Sequence, residues 1–126
     1  MEKCDMFGRI KIRKSDKLFR ELLLKERGER CQRCARRGRV EVSHFHGRRK
    51  ENVRYDFENV DLLCGGCHRF FHESPSSYFT WKHEQLGEKR FKALEIRANT
   101  YKKRDDAMQE IILRKLLTLY ERRNKK

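Results

Sequence analysis

Apolar positions recur at helical spacing in the first and last parts of the chain and alternate with polar ones in between. Leu18, Phe19, Leu22 and Leu23 fall on one face of a helix over 16–27, with Ser15 placed as an N-cap, Asp16 in the first turn and Gly28 as the stop. That amphipathic helix should pack on the core. Before it, Arg9, Lys11 and Arg13 alternate with Ile10 and Ile12, which reads as a short edge strand, a basic arm or a frayed terminus. Residues 40–46 alternate as a strand, 47–50 form a basic loop, and 51–63 carry a second extended segment or loop ending in Val60, Leu62 and Leu63. A helix opening near Cys67 carries His68 and His72 and stops before Pro75. Ser76 or Ser77 caps the next helix, whose apolar face is Tyr78, Phe79, Trp81 and Leu86 and whose end is Gly87. Phe91, Leu94 and Ile96 predict a helix over 88–98. Met108, Ile111, Ile112, Leu116, Leu119 and Tyr120 form one stripe of a last helix over 104–123. The simplest fate of that stripe is core packing; a homodimer through the C-terminal helix is the alternative. The pattern divides into a basic N-terminal segment with its short helix (1–30), a central α+β core (31–74) and a C-terminal helical extension (75–126).

Composition changes the picture in two ways. Only 37% of the 126 residues are hydrophobic and 41% are charged, so the core is modest and a staple is expected. Lys and Arg number 33 against 19 acidic residues, a formal charge of +14 spread along the chain. Such a field favours a polyanion, with nucleic acid the first candidate partner and a merely solvated surface the bland one. No apolar run reaches membrane-spanning length and residues 1–17 hold no apolar signal core, so no membrane partner and an intracellular location are expected.

The five cysteines include two CxxC pairs, Cys31/Cys34 and Cys64/Cys67. In a reducing compartment two such pairs predict a tetrahedral structural zinc site. A redox pair is the competing reading, but no βαβ pattern accompanies it. Gly65 and Gly66 are expected to let the backbone bend so that both thiolates reach one ion. Zinc held this way contributes on the order of 10 kcal/mol or more to folding. A closed Cys4 shell leaves no open position for chemistry. Cys4 is left over as a free thiol.

The remaining candidates cluster between and after those pairs. His68 and His72 stand at i and i+4 of a helix, so both rings face one way, as metal ligands do with a third ligand or water completing the shell. The bland alternative is a pair of surface histidines. His44 is a candidate general base, since a neutral imidazole can take a proton from water near pH 7. Alternation keeps His46 on its side, at the rim or on a phosphate. Asn59 can fix the base or its loop. Taken singly, His44 also fits a buried structural histidine and Asn59 a turn cap. Arg48, Arg49, Lys50 and Arg54 flank the set and could hold DNA phosphates.

The order His44…Asn59…His68…His72, interleaved with the two CxxC pairs and running through Cys64-Gly65-Gly66-Cys67-His68, resembles the zinc-bearing branch of the HNH, or ββα-metal, endonucleases. The string from Cys31 to Asn99, with "SHFHGRR", "DFENVDLLCGGCHRFFHE" and "LGEKRF", is similar to phage-encoded HNH proteins and, more loosely, to the NinG/Rap group of recombination nucleases. The resemblance implies a ββα-metal core with added helices that hydrolyses DNA phosphodiesters and acts in recombination, repair or packaging in a bacterial or phage-infected cell. It implies His44 as general base, Asn59 as the residue orienting the base loop, and His68 and His72 as ligands of a catalytic divalent cation (Mg2+, Mn2+, Ni2+ or Zn2+). One position departs: the family carries Asp or His before the base, where this chain has Ser43. Water, His46 or Ser43 itself would fill that coordination position. The rival class is a non-catalytic zinc-ribbon DNA-binding or packaging accessory protein; an RNA-binding or RNase domain is a third reading.

Overall fold

The computed structural model describes residues 11–124, so Cys4 and the alternation up to Ile10 lie outside the described residues. The elements in chain order are α1 (Lys14–Arg27), β1 (Glu41–His44), a 3-10 turn (Glu51–Val53), β2 (Val60–Leu63), α2 (Gly65–Glu73), α3 (Pro75–Leu86), α4 (Glu88–Ala98) and α5 (Asp106–Arg123). They form two compact units. One spans Arg27–Lys103; the other joins α1 up to Glu26 with α5, from the far end of the chain.

In the larger unit β1 and β2 pair antiparallel, with Glu41 opposite Leu63 and His44 opposite Val60. The strand predicted over 40–46 stops at His44. The reason is local: the Asn59 side chain takes both backbone groups of His46, with His46 N–H donating to Oδ1 (2.8 Å) and Nδ2 donating to His46 C=O (2.9 Å). A ladder partner is thereby displaced and the chain bends. All four residues of β2 are buried.

Two apolar clusters flank the strand pair. One gathers Leu63, Phe71 and Tyr78 around Cys31 and Cys67, and Phe71 stacks on Tyr78 at 4.4 Å. The other gathers Val53, Leu86, Phe91, Leu94 and Ala98. Phe45 packs against both, which anchors the bend between His44 and His46. The loop between the strands is latched to α4 by Lys50–Asn99 (3.2 Å), Asn52–Arg97 (3.0 Å) and the Arg97 pairs with Asp56 and Glu58.

Several predicted details differ. Ser15 is not a cap: α1 begins at Lys14, Ser15 is buried, and Asp16 instead accepts from the backbone N–H of Arg13 (2.8 Å). α2 opens at Gly65 rather than near Cys67, with Cys64 at the N-cap position. α3 begins at Pro75, ahead of Ser76 and Ser77, because proline lacks the N–H that a first helical residue would leave orphaned. On α3 the buried residues are Tyr78, Lys82 and Leu86, while Phe79 is exposed; on α4 Ala98 is buried and Ile96 is exposed.

In the smaller unit α1 buries Phe19, Leu22 and Leu23. The α5 residues that are buried are Leu113 and Leu117; Met108, Ile111, Ile112 and Leu119 of the predicted stripe are exposed. The buried face instead runs through one pair of leucines four apart. The α5 terminus is tied to α1 by Tyr120 O–H donating to Lys25 C=O (2.6 Å) and by the Lys25–Glu121 ion pair.

Candidate functional site

The four cysteines of the CxxC pairs bring their sulfurs within 4.8 Å of one another. Cys34 and Cys64 Sγ stand 3.8 Å apart, close to the ~3.8 Å edge of a tetrahedron with legs of ~2.3 Å, the zinc–thiolate distance. Each pair turns in the same way: Cys34 N–H points to Cys31 Sγ and Cys67 N–H to Cys64 Sγ, both at 3.5 Å. The first turn is held by a left-handed Ala35 (φ 66°). Gly65 and Gly66 do not supply the second bend: neither has a positive φ, both lie in the first turn of α2, and a Cβ at Gly66 would meet nothing within 4 Å.

The thiols differ electrostatically. Burial pushes Cys31 up, but backbone N–H groups from Cys34, Cys64 and Arg33 outweigh it and bring its pKa down to about 6. Burial pushes Cys67 up to about 12, and the neighbouring thiols add to the rise despite Arg33. Four thiolates cannot crowd together uncompensated; a divalent cation is what would let all four ionise. The donor set, spacing and charge demand fit one tetrahedral ion.

The first knuckle is docked on the edge of β2 by Gln32, whose N–H donates to Leu62 C=O and whose Oε1 accepts from Leu62 N–H, each at 2.8 Å. Gln32 Nε2 also reaches Asp61 Oδ1 (3.1 Å). Asp61 is 1% exposed and gathers further donors: Lys82 Nζ (2.8 Å), Gln85 Nε2 (3.0 Å) and Tyr78 O–H (3.2 Å). Burial pushes the Lys82 ammonium below its ordinary value, and Asp61 partly restores it.

His44 ends β1. Its Nε2 lies 3.0 Å from the Arg54 carbonyl. A carbonyl only accepts, so Nε2 is the donating nitrogen in this contact. Asn59, fully buried, organises this corner: besides its two bonds to the His46 backbone, Nδ2 donates to Val53 C=O (3.0 Å), next to Arg54. One amide thus joins the residues on either side of the His44–Arg54 contact.

Arg54, expected among the phosphate-binding residues, is 1% exposed, and its Nη1 donates to Arg48 C=O (3.0 Å). Its charge is out of reach of a surface phosphate, and its carbonyl is what meets His44. Arg49 and Lys50 are exposed, while Arg48 is half-buried, with burial and the neighbouring Arg54 charge lowering its pKa. Ser43 is buried with its hydroxyl 2.9 Å from Tyr78 Oη, so that hydroxyl is committed. His46 turns its Nε2 into a buried position without a hydrogen-bond partner, and burial lowers its pKa.

His68 lies in the first half of α2 and the exposed His72 in its last turn. His68 Nδ1 meets Glu41 Oε1 at 2.6 Å. The sequence reading did not single out Glu41; the available signal was its parity with Ser43 on β1, since alternate residues share a face. That alternation turns residues 41 and 43 to one face and 42 and 44 to the other. Among the described residues the four thiols are the group of three or more Cys, His, Asp or Glu ligand atoms close enough to share an ion.

Residues 31–74, which span both cysteine pairs, β1, β2 and α2, match the family model of the HNH endonuclease. No curated protein and no solved structure gives a match.

Proposed function

We propose that the chain is a metal-dependent DNA endonuclease of the HNH type, stapled by zinc on Cys31, Cys34, Cys64 and Cys67. The observation that carries the reading is the match of residues 31–74 to the HNH endonuclease model, over the stretch where β1 ends in His44 with its Nε2 held on the Arg54 carbonyl; His44 is the base that takes a proton from water. Asn59 keeps that carbonyl and the bend after His44 in register. His68 and His72 are the ligands for a divalent cation, which when bound supplies positive charge at the leaving 3′-oxygen. Arg49 and Lys50, with the wider basic surface, supply sequence-independent affinity that falls steeply with salt. A role in phage recombination, repair or packaging, inside the cell, follows from the sequence resemblance alone. The exposed α5 stripe of Met108, Ile111, Ile112 and Leu119 supports a homodimer through that helix.

The test is nicking of supercoiled plasmid with Mg2+, Mn2+, Ni2+ or Zn2+, comparing wild type with His44→Ala and His68→Ala. Loss of cleavage in both variants, with zinc content and circular dichroism retained, is the expected result. Full activity in His44→Ala overturns the base assignment. Tight DNA binding without cleavage by wild type in any of the metals would favour the accessory-protein reading, and preferential cutting of RNA would change the substrate.

A further inference from the structure

We propose that Glu41 is the positioning residue for the metal-binding histidine His68. The inference rests on the reading of His68 as a ligand. Glu41 and His68 come from different elements and meet at 2.6 Å between Oε1 and Nδ1. A carboxylate in that position accepts Nδ1–H, which fixes the tautomer and leaves the lone pair on Nε2, directed away from the strand. The His68 side chain is 15% exposed and that of Glu41 is 41% exposed, so the pair lies at the surface, where an ion and a phosphate can reach it.

Three features of the chain keep this contact in place. Glu41 is the first residue of β1, opposite Leu63, and so lies just before the Cys64 turn that opens α2. Its second oxygen, Oε2, lies 3.9 Å from where a Cβ on Gly65 would stand, so the carboxylate sits against the opening turn of α2, where the helix dipole favours negative charge. The other candidate on the same face, Ser43, is held by Tyr78. Glu41 is therefore the acidic group that β1 presents to α2.

The experiment uses the zinc-loaded full chain and has two readouts besides cleavage. Long-range 1H–15N correlation spectra, recorded without a second metal at a pH where the ring is neutral, should show His68 protonated on Nδ1 in wild type. In Glu41→Gln the population should shift toward the Nε2–H form. Mn2+ binding at the second site, followed by electron paramagnetic resonance, should weaken 10–100-fold in Glu41→Gln, with zinc content unchanged. A wild-type His68 protonated on Nε2, or Mn2+ affinity within twofold between the two proteins, overturns the proposal while leaving the nuclease reading intact. Wild type that takes up no second ion and cuts nothing sinks the nuclease reading, and with it the role of Glu41.

Discussion

Replacing Asn59 separates the hydrogen-bonding work of its amide from its mere presence. The side chain makes three bonds to main-chain groups: it accepts from His46 N–H at 2.8 Å and donates to His46 C=O at 2.9 Å and Val53 C=O at 3.0 Å. It is 0% exposed, so water cannot replace those partners without opening the loop. At about 1 kcal/mol per bond, Asn59→Ala should lose about 3 kcal/mol, a large share of the stability of a small domain. Asn59→Asp has the same shape but should be worse at neutral pH, because its second oxygen would face two carbonyl oxygens as a buried anion. The buried aspartate has a raised folded-state pKa, so the protonated form, which can donate to one carbonyl, is favoured. The penalty is then smallest below the unfolded pKa and grows as pH rises toward the folded one. Urea unfolding of zinc-loaded protein at about pH 5 and pH 8 should show the two variants converging at the lower pH and Asp falling below Ala at the higher. Both should nick plasmid more slowly than wild type. An Asn59→Asp protein as stable as wild type at pH 8, or with no pH dependence relative to Ala, would refute the reasoning.

Removing zinc should unfold the larger unit, because a contribution on the order of 10 kcal/mol or more exceeds what its small clusters supply; a strong chelator should abolish the cooperative thermal transition seen by circular dichroism. Cys34→Ser should weaken zinc retention in the same direction, read as metal content after dialysis. Lys82→Met should cost about 3–5 kcal/mol, since it strands the Asp61 carboxylate where both side chains are 1% exposed; adding Asp61→Asn should recover much of that in denaturant titrations. The Arg90 hydrogen bond, against an opposing burial effect and with further help from Arg97, holds the Glu58 carboxyl below its ordinary value. Its stabilisation is present above the unfolded pKa and is lost as pH falls through the depressed folded one, so Glu58→Gln should flatten the acid limb of the stability profile.

The sequence was most legible where local chemistry decides the outcome. Gly87 and the spacing of Phe91 and Leu94 after it define α4 as Glu88–Ala98, matching the helix read from its periodicity. The two CxxC pairs specify a sulfur cluster without knowledge of the fold between them. Legibility fell where partners come from distant parts of the chain. Nothing local tells that Lys82 is buried, because its reason is Asp61 on β2, or that the Arg54 guanidinium is sequestered, because its reason is the Arg48 carbonyl. Glu41 was passed over for the same cause: its partner His68 belongs to α2. On α5 the apolar residues surround the helix, so periodicity does not single out the face that is buried, which carries Leu113 and Leu117.

The misplaced polar residues share a physical origin. A chain with so few apolar residues cannot fix the approach to its candidate site by hydrophobic packing, so polar side chains set the register of one element against another. Gln32 docks the first cysteine knuckle on β2 and reaches Asp61; Asp61 collects Lys82, Gln85 and Tyr78 from α3; Tyr78 meets Ser43 beside His44. A continuous run of hydrogen bonds therefore leads from the metal-binding turn to the residue preceding the base. Packing tolerates a small slide; a buried carboxylate with four donors does not, because each displaced donor leaves an unsatisfied group. On this account Tyr78→Phe, which keeps the aromatic stack on Phe71 but deletes the hydroxyl between Ser43 and Asp61, should leave zinc content unchanged. It should lower the rate of plasmid nicking more than it lowers DNA affinity. An unchanged nicking rate would mean that the run of bonds serves stability alone.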